Sequence, residues 1–206
     1  MSRESNTSER RIAIASALVR VMALEGYGGA TIQRIAREAG LTPGLLHYHF
    51  ESKAEILRVV VEDLSRRVRA RIARRVAKRP TALARLDGVL EALLARGEDE
   101  DLDAVRCWAI LAAESVKSEE VRALREAHVL WLIDEIAALL VAACHDDGKT
   151  GEGARAMAGA LVALAEGYTT LAAATPAAIP PGSASAMAKR AMRGLVAAQP
   201  ARQEEP

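Results

Sequence analysis

The chain has 206 residues, half of them apolar and only 3% aromatic, enough to bury a sizeable core and too poor in aromatics for a sheet-dominated protein. Its net charge of +1 makes no overall case for a polyanionic partner. The charge is unevenly laid, however: residues 1–79 hold 16 Lys+Arg against 8 Asp+Glu, and residues 80–206 hold 12 against 19. That asymmetry fits a basic nucleic-acid module on an acidic body, or a solvated basic helix over 66–79.

In chain order, residues 1–8 are polar and read as disordered. From 8 to 26, Ile14, Ala17, Leu18, Val21 and Met22 form the stripe of an amphipathic helix. Gly26, Gly28 and Gly29 stop it. Thr31 offers a capping hydroxyl for a short helix over 32–39, with Ile32, Ile35, Ala36 and Ala39 facing inward. Gly40 ends that helix and Leu41 packs behind it. Thr42 and Pro43 restart the chain as a third helix to about residue 50, a cap followed by proline at the first helical position. Ser52 caps a long helix over 53–78, and Pro80 divides the chain. Further helices are expected over 81–96, 104–116, 119–145, 152–174 and 183–198. They are separated by the acidic segment 97–101, the capping Ser118, the segment 146–151, and 175–182 with its three prolines. The tail 199–206 is expected to be frayed. The fold class is all-α, with no strand pattern.

Two short helices about a three-residue turn opening with glycine are the layout of a helix-turn-helix, whose second helix enters the major groove. The turn needs a residue at ease with positive φ, and Gly40 supplies it. The steep crossing needs small side chains, and Ala36 and Ala39 supply them. The second helix buries Leu46 and Phe50, with Leu41 beside them. It leaves Thr42, Pro43, Gly44, Leu45, His47, Tyr48 and His49 outward or toward its ends. Adjacent Tyr and His side chains suit hydrogen bonds to phosphates and base edges.

The segment 12–57 resembles the DNA-binding domain of the TetR family of bacterial regulators. The match runs through Gly26-Tyr27, Ala30-Thr31-Ile32, Ile35-Ala36-Arg37-Glu38-Ala39-Gly40-Leu41-Thr42, Gly44-Leu45-Leu46-His47-Tyr48-His49-Phe50 and Ser52-Lys53-Ala54-Glu55-Ile56-Leu57. The resemblance implies that Thr31 and Lys53 hold phosphates, that Gln33 points toward the groove, and that Thr42, Pro43, Gly44, Leu45, Tyr48 and His49 line the recognition surface. His47 stands where tyrosine is common and Leu45 where threonine is common. Leu45 can touch a thymine methyl but cannot donate a hydrogen bond. Arg3, Arg10 and Arg11 form a candidate N-terminal arm toward backbone or minor groove, or are ordinary solvated charge.

The resemblance also implies a three-helix DNA-binding domain over 1–55, joined by a long helix to a larger helical dimerisation and ligand domain over 56–198, with a flexible tail over 199–206. Helices 152–174 and 183–198, rich in small residues, would pair with a second copy as a four-helix bundle. The protein would then act as a homodimeric, ligand-responsive repressor on a palindromic double-stranded DNA operator. Residues 105–130 and 163–168 are similar to the body of the BetI-like branch, but so few aromatics give no case for a cage around a choline-like cation. Candidate pocket residues are Leu124, His128, Trp131 and Glu135 on one face of helix 119–145, the face that Val121 shares, with Trp108, Glu166 and Thr170 on neighbouring helices. Each also reads as ordinary core or surface.

No Gly-rich phosphate loop, metal-spaced His/Cys cluster or Gly-x-Ser-x-Gly elbow occurs, so no enzyme, metal site or cofactor is expected. A thiol-based redox regulator would need Cys107 or Cys144 exposed with a lowered pKa. A helical interaction module without DNA binding is the third reading. The longest apolar run, 136–144, is too short to cross a bilayer, and the start carries no signal-peptide pattern. The expected location is the cytoplasm.

Overall fold

A computed structural model describes residues 3–94, 102–180 and 182–202. Among them lie nine α-helices: α1 (Arg3–Gly29), α2 (Ile32–Glu38), α3 (Pro43–His49), α4 (Lys53–Val76), α5 (Ala82–Leu94), α6 (Leu102–Glu114), α7 (Glu119–Asp146), α8 (Ala154–Ala174) and α9 (Ser183–Ala197). The only strand-like pairing among the described residues is one antiparallel bridge, Lys149 to Ala201. The all-α expectation holds.

Side-chain caps start five of these helices. Thr31, Thr42, Ser52, Thr81 and Ser118 each accept from the backbone N–H three residues on, at 3.3, 3.3, 3.2, 3.1 and 3.4 Å. Each satisfies one of the donors a helix start leaves orphaned. Gly26 interrupts α1 at φ 72°, ψ 173°, a region essentially reserved for glycine. The backbone of α1 is helical from Arg3, so residues 3–8 extend the helix where disorder was expected. The expected break at 97–101 lies outside the described residues, as does Pro181.

The chain divides into two compact units, Met1–Arg66 with Asp101–Glu126, and Arg67–Glu100 with Ala127–Pro206. These packing units are not stretches of continuous chain, because α6 and the start of α7 pack with the first helices. Cys107, Leu111 and Val121 share one buried cluster with Ile14, Leu18, Met22, Ile35, Leu46, Phe50, Ile56 and Leu57. In the second unit, α5, α8 and α9 pack together with the later parts of α4 and α7 around Leu86, Leu90, Ile136, Leu140, Leu161 and Met192. Glu91 anchors a polar cluster there. It accepts from Arg79 and Lys189, with Arg75 at 3.9 Å, and its carboxyl is held below the usual range by those cations against the opposing effect of burial.

Residues 199–202 are not frayed. Thr150 N–H donates to the Pro200 carbonyl at 3.0 Å and Arg202 N–H to the Gly148 carbonyl at 2.9 Å. Lys149 Nζ reaches the Ala197 carbonyl at 2.6 Å. Residues 203–206 of the expected flexible tail lie outside the described residues.

Three helical segments reach the length and mean hydropathy of a membrane crossing: 9–29 of α1, α7 and α8. Judging by the longest unbroken apolar run missed them, because alanine raises the average without making such a run. In this structure their apolar faces supply core residues such as Leu18, Ile136 and Leu161.

Candidate nucleic-acid interface

The second helix of the helix-turn-helix is α3, only seven residues long. A helix this short is marginal alone, so its setting depends on neighbours. Leu46 is buried, Phe50 is buried at its C-cap, and Leu41 packs partly buried against the same cluster. Ala36 is buried where α2 meets its neighbours, and Gly40 makes the turn at φ 67°. Arg20 pairs with Glu38 at 2.5 Å, and Arg34 pairs with Glu25, tying α2 to α1 twice.

On this scaffold Thr31, Gln33, Thr42, Pro43, Gly44, Leu45, His47 and Tyr48 are all exposed, Tyr48 at 79%. The hydroxyls of Thr31 and Thr42 serve as caps, leaving lone-pair capacity beyond the bond each accepts. His49 differs from the sequence expectation of an outward side chain. It is half-buried, its Nδ1 is buried and finds no hydrogen-bond partner among the described residues, and its ring meets Tyr48 edge-on at 5.2 Å.

Lys53 is half-buried and turned toward Tyr27. Its Nζ donates to the Tyr27 carbonyl at 2.9 Å and lies 4.0 Å from the centroid of the Tyr27 ring. Burial pushes the lysine pKa down, opposed by Glu114. Burial raises that of Tyr27, helped by Glu120 and Glu114. An ammonium carries three donors, and the carbonyl uses one.

Arg11, read as a possible arm, faces inward. It donates to the His49 carbonyl, pairs with Glu55 at 2.7 Å and lies 4.0 Å over the Phe50 ring. Sequence reasoning had no signal for these contacts, which join positions 38 and 44 residues apart. Arg10 is exposed on α1, and the side chain of Arg3 lies outside the described residues.

The pocket candidates fall in both units. Trp108 and Leu124 belong to the first, where both are half-buried against its core. His128, Trp131, Glu135, Glu166 and Thr170 belong to the second. The buried row of α7 is Val121, His128, Leu132, Ile136 and Leu140; it shares Val121 and His128 with the expected face, and leaves Leu124 and Trp131 half-buried and Glu135 exposed. Thr170 is exposed too, and Glu166 is half-buried. What the structure does gather is His128, Trp131 and Arg69. The two rings are 6.0 Å apart and the Arg69 guanidinium lies 4.2 Å from the Trp131 centroid. Arg69 was not foreseen.

Both cysteines are fully buried, and burial raises the Cys144 thiol pKa, with Lys149 opposing and Asp147 assisting. The exposure required for a redox switch is therefore lacking at both.

Residues 14–60 match the family described as bacterial regulatory proteins, tetR family, and residues 82–197 match the C-terminal domain of BetI-type transcriptional repressors. The chain is 30% identical over 156 residues to the HTH-type transcriptional regulator BetI of Agrobacterium fabrum, covering 72% of each chain. It is 29% identical over 150 residues to BetI of Rhizobium meliloti, covering 72% of this chain and 73% of that one. Among solved structures, a TetR-family regulator from a Rhodococcus species superposes with a TM-score of 0.78 at 25% identity, covering 92% of this chain and 99% of that one. A transcriptional regulator from Saccharomonospora viridis, solved in complex with choline, gives 0.75 at 22%, covering 95% and 100%, a likeness of fold alone. With its helix-turn-helix and its BetI-type C-terminal domain both matched, the protein belongs to the TetR family of transcriptional regulators.

Proposed function

We propose that this protein is a cytoplasmic, ligand-responsive repressor that binds a palindromic operator as a homodimer. The observation that carries the reading is the exposed face of α3. Thr42, Pro43, Gly44, Leu45, His47 and Tyr48 stand outward on a helix whose opposite side is sealed by Leu46 and Phe50. Thr31, Gln33, Lys53 and His49 flank that face, with Thr31 and Lys53 assigned to phosphates. For Lys53 the assignment requires its ammonium to turn from Tyr27 or to share its remaining donors.

Dimerisation through α8 and α9 is supported by an uncovered row of small side chains, Ala156, Ala160, Ala163, Gly167 and Ala174 on α8, interrupted by the exposed Leu171 and continued by Gly194 and Ala197 on α9. Two recognition helices about 35 Å apart would reach successive major grooves. An effector held beside His128 and Trp131, within the second unit, would act by preferring one separation of those helices over another. A choline-like cation would meet Trp131 with its face already covered by Arg69.

The test is a gel shift with the DNA upstream of the protein's own gene across a salt series. Binding that weakens with salt and survives excess unrelated duplex is expected. Absence of such binding to any sequence would leave a helical interaction module. Buried thiols give the redox reading no support, and release of DNA by a small molecule in the Cys107→Ser, Cys144→Ser variant would exclude it as the necessary switch.

A further inference from the structure

Arg11 sits early in α1, one-third exposed, and all three of its partners surround the far end of the recognition helix. One guanidinium nitrogen donates to the carbonyl of His49, the last residue of α3. The other pairs with Glu55 Oε1 in the first turn of α4, and the plane covers Phe50, the α3 cap. Glu55 is gripped from its other side as well, where Oε2 accepts the Glu51 N–H at 2.9 Å. One side chain thus joins α1, the carboxyl end of α3, the break at 50–52 and the start of α4.

We propose that Arg11 is a positioning residue for DNA recognition, a clamp that sets the angle of α3 and does not itself grip a phosphate. The last carbonyls of a helix lack intrahelical partners and favour a cation, and His49 O is such a carbonyl. Tyr48 and His49 directly precede the clamped cap, so any swing of that end carries both away from a groove. The forked guanidinium reaches carbonyl and carboxylate together while its carbon sits over an aromatic ring, a combination that a lysine cannot reproduce. The proposal rests on α3 being the DNA-contacting helix.

The experiment compares Arg11→Ala, Arg11→Lys, Glu55→Gln and the Arg11→Ala/Glu55→Gln double variant, with binding to operator and to unrelated duplex followed across salt. A clamp predicts that all three single variants lose operator affinity, about tenfold or more for Arg11→Ala. It also predicts that the double variant is no worse than Arg11→Ala, that binding to unrelated duplex holds, and that the salt slope is unchanged. A phosphate contact merely stored on Glu55 predicts the reverse. The slope then falls by about one in Arg11→Ala, Arg11→Lys keeps its affinity, and Glu55→Gln binds more tightly because the arginine is released. Either of those last two results overturns the clamp. Should Arg11→Ala fail to fold, Arg11→Lys and Glu55→Gln carry the comparison. Should the wild type show no specific DNA binding, the functional reading fails separately. Amide exchange at Phe50 and Glu51 then decides the clamp, being faster in Arg11→Lys if it exists and unchanged if it does not.

Discussion

α3 and the α8–α9 pair each leave a face uncovered, and the two faces have opposite chemistry. On α3 and its cap the uncovered side chains are one hydroxyl, a proline, a leucine, an imidazole and a phenol. On α8 they are mainly a row of alanines with one glycine and one leucine, flanked by Arg155 and Thr170. Varied donors and acceptors suit a partner whose surface changes from one position to the next, as base edges and phosphates do. Small side chains offer nothing to read, but they let a second helix backbone come close. Support differs in the same sense. α8 buries Ala154, Met157, Ala158, Leu161, Val162 and Ala165 along its own length, whereas α3 buries Leu46 alone. The face for reading is held in place by its neighbours, and the face for pairing by its own helix.

That contrast can be broken at either end. Leu46→Ala removes the single buried side chain of α3 and is expected to cost about 2–5 kcal/mol in urea unfolding, with operator binding lost in step. Retained stability would show that α3 is seated by other means. Gly167→Leu should act the opposite way. Among the described residues nothing lies within 4 Å of a Cβ built there, so each subunit should keep or gain stability, since leucine outranks glycine in a helix by up to about 1 kcal/mol. Sedimentation should nevertheless show dimerisation weakened by about 1–3 kcal/mol from overpacking. An unchanged dimer would move the interface elsewhere.

Tyr48→Ala tests the reading face without touching its support. Operator affinity should fall by about 1–3 kcal/mol at an unchanged melting temperature, and equal affinity would make Tyr48 a bystander. Gly40→Ala meets no atom within 4 Å but must adopt φ +67°, which should cost about 1–2 kcal/mol of stability, with a matching loss of DNA binding only near the unfolding midpoint.

The smallest effect concerns acid. The Glu55 carboxyl is held below the usual range, first by the Arg11 hydrogen bond and then by the Glu51 N–H. A depressed carboxyl pKa contributes stability that is complete above the unfolded value and vanishes as pH falls through the folded one. Unfolding from about pH 6 to about pH 3 should therefore be steeper for the wild type than for Glu55→Gln. Parallel curves would show that the pair contributes nothing measurable.

The helix-turn-helix was legible in the sequence because its determinants are local. Thr31, Thr42 and Ser52 cap, Gly40 turns and Pro43 restarts, each within a few residues of its effect. The anchors of the site were not legible. Arg11 finds His49 and Glu55 across 38 and 44 residues, and Lys53 finds Tyr27 across 26. No spacing rule reaches so far. The full course of the buried row along α7 was not legible for a different reason. The face named for a pocket, Val121, Leu124, His128, Trp131 and Glu135, shares Val121 and His128 with the buried row, which then drifts to Leu132, Ile136 and Leu140 as packing along so long a helix takes over. The unit boundary fell inside α4 and α7, continuous helices that carry no mark of division. The docked tail was missed because backbone groups hold it, and composition does not display them.

The pairing of residues 148–150 with 200–202 also closes α8, α9 and their connection into a single ring of chain. The ring should open and close as one piece, so amides of α8 and α9 should exchange with solvent together and not helix by helix. A deletion that ends the chain at Ala198 would turn that ring into two loosely tethered arms. The same row of alanines would then be offered to a second copy from a hinge and not from a frame.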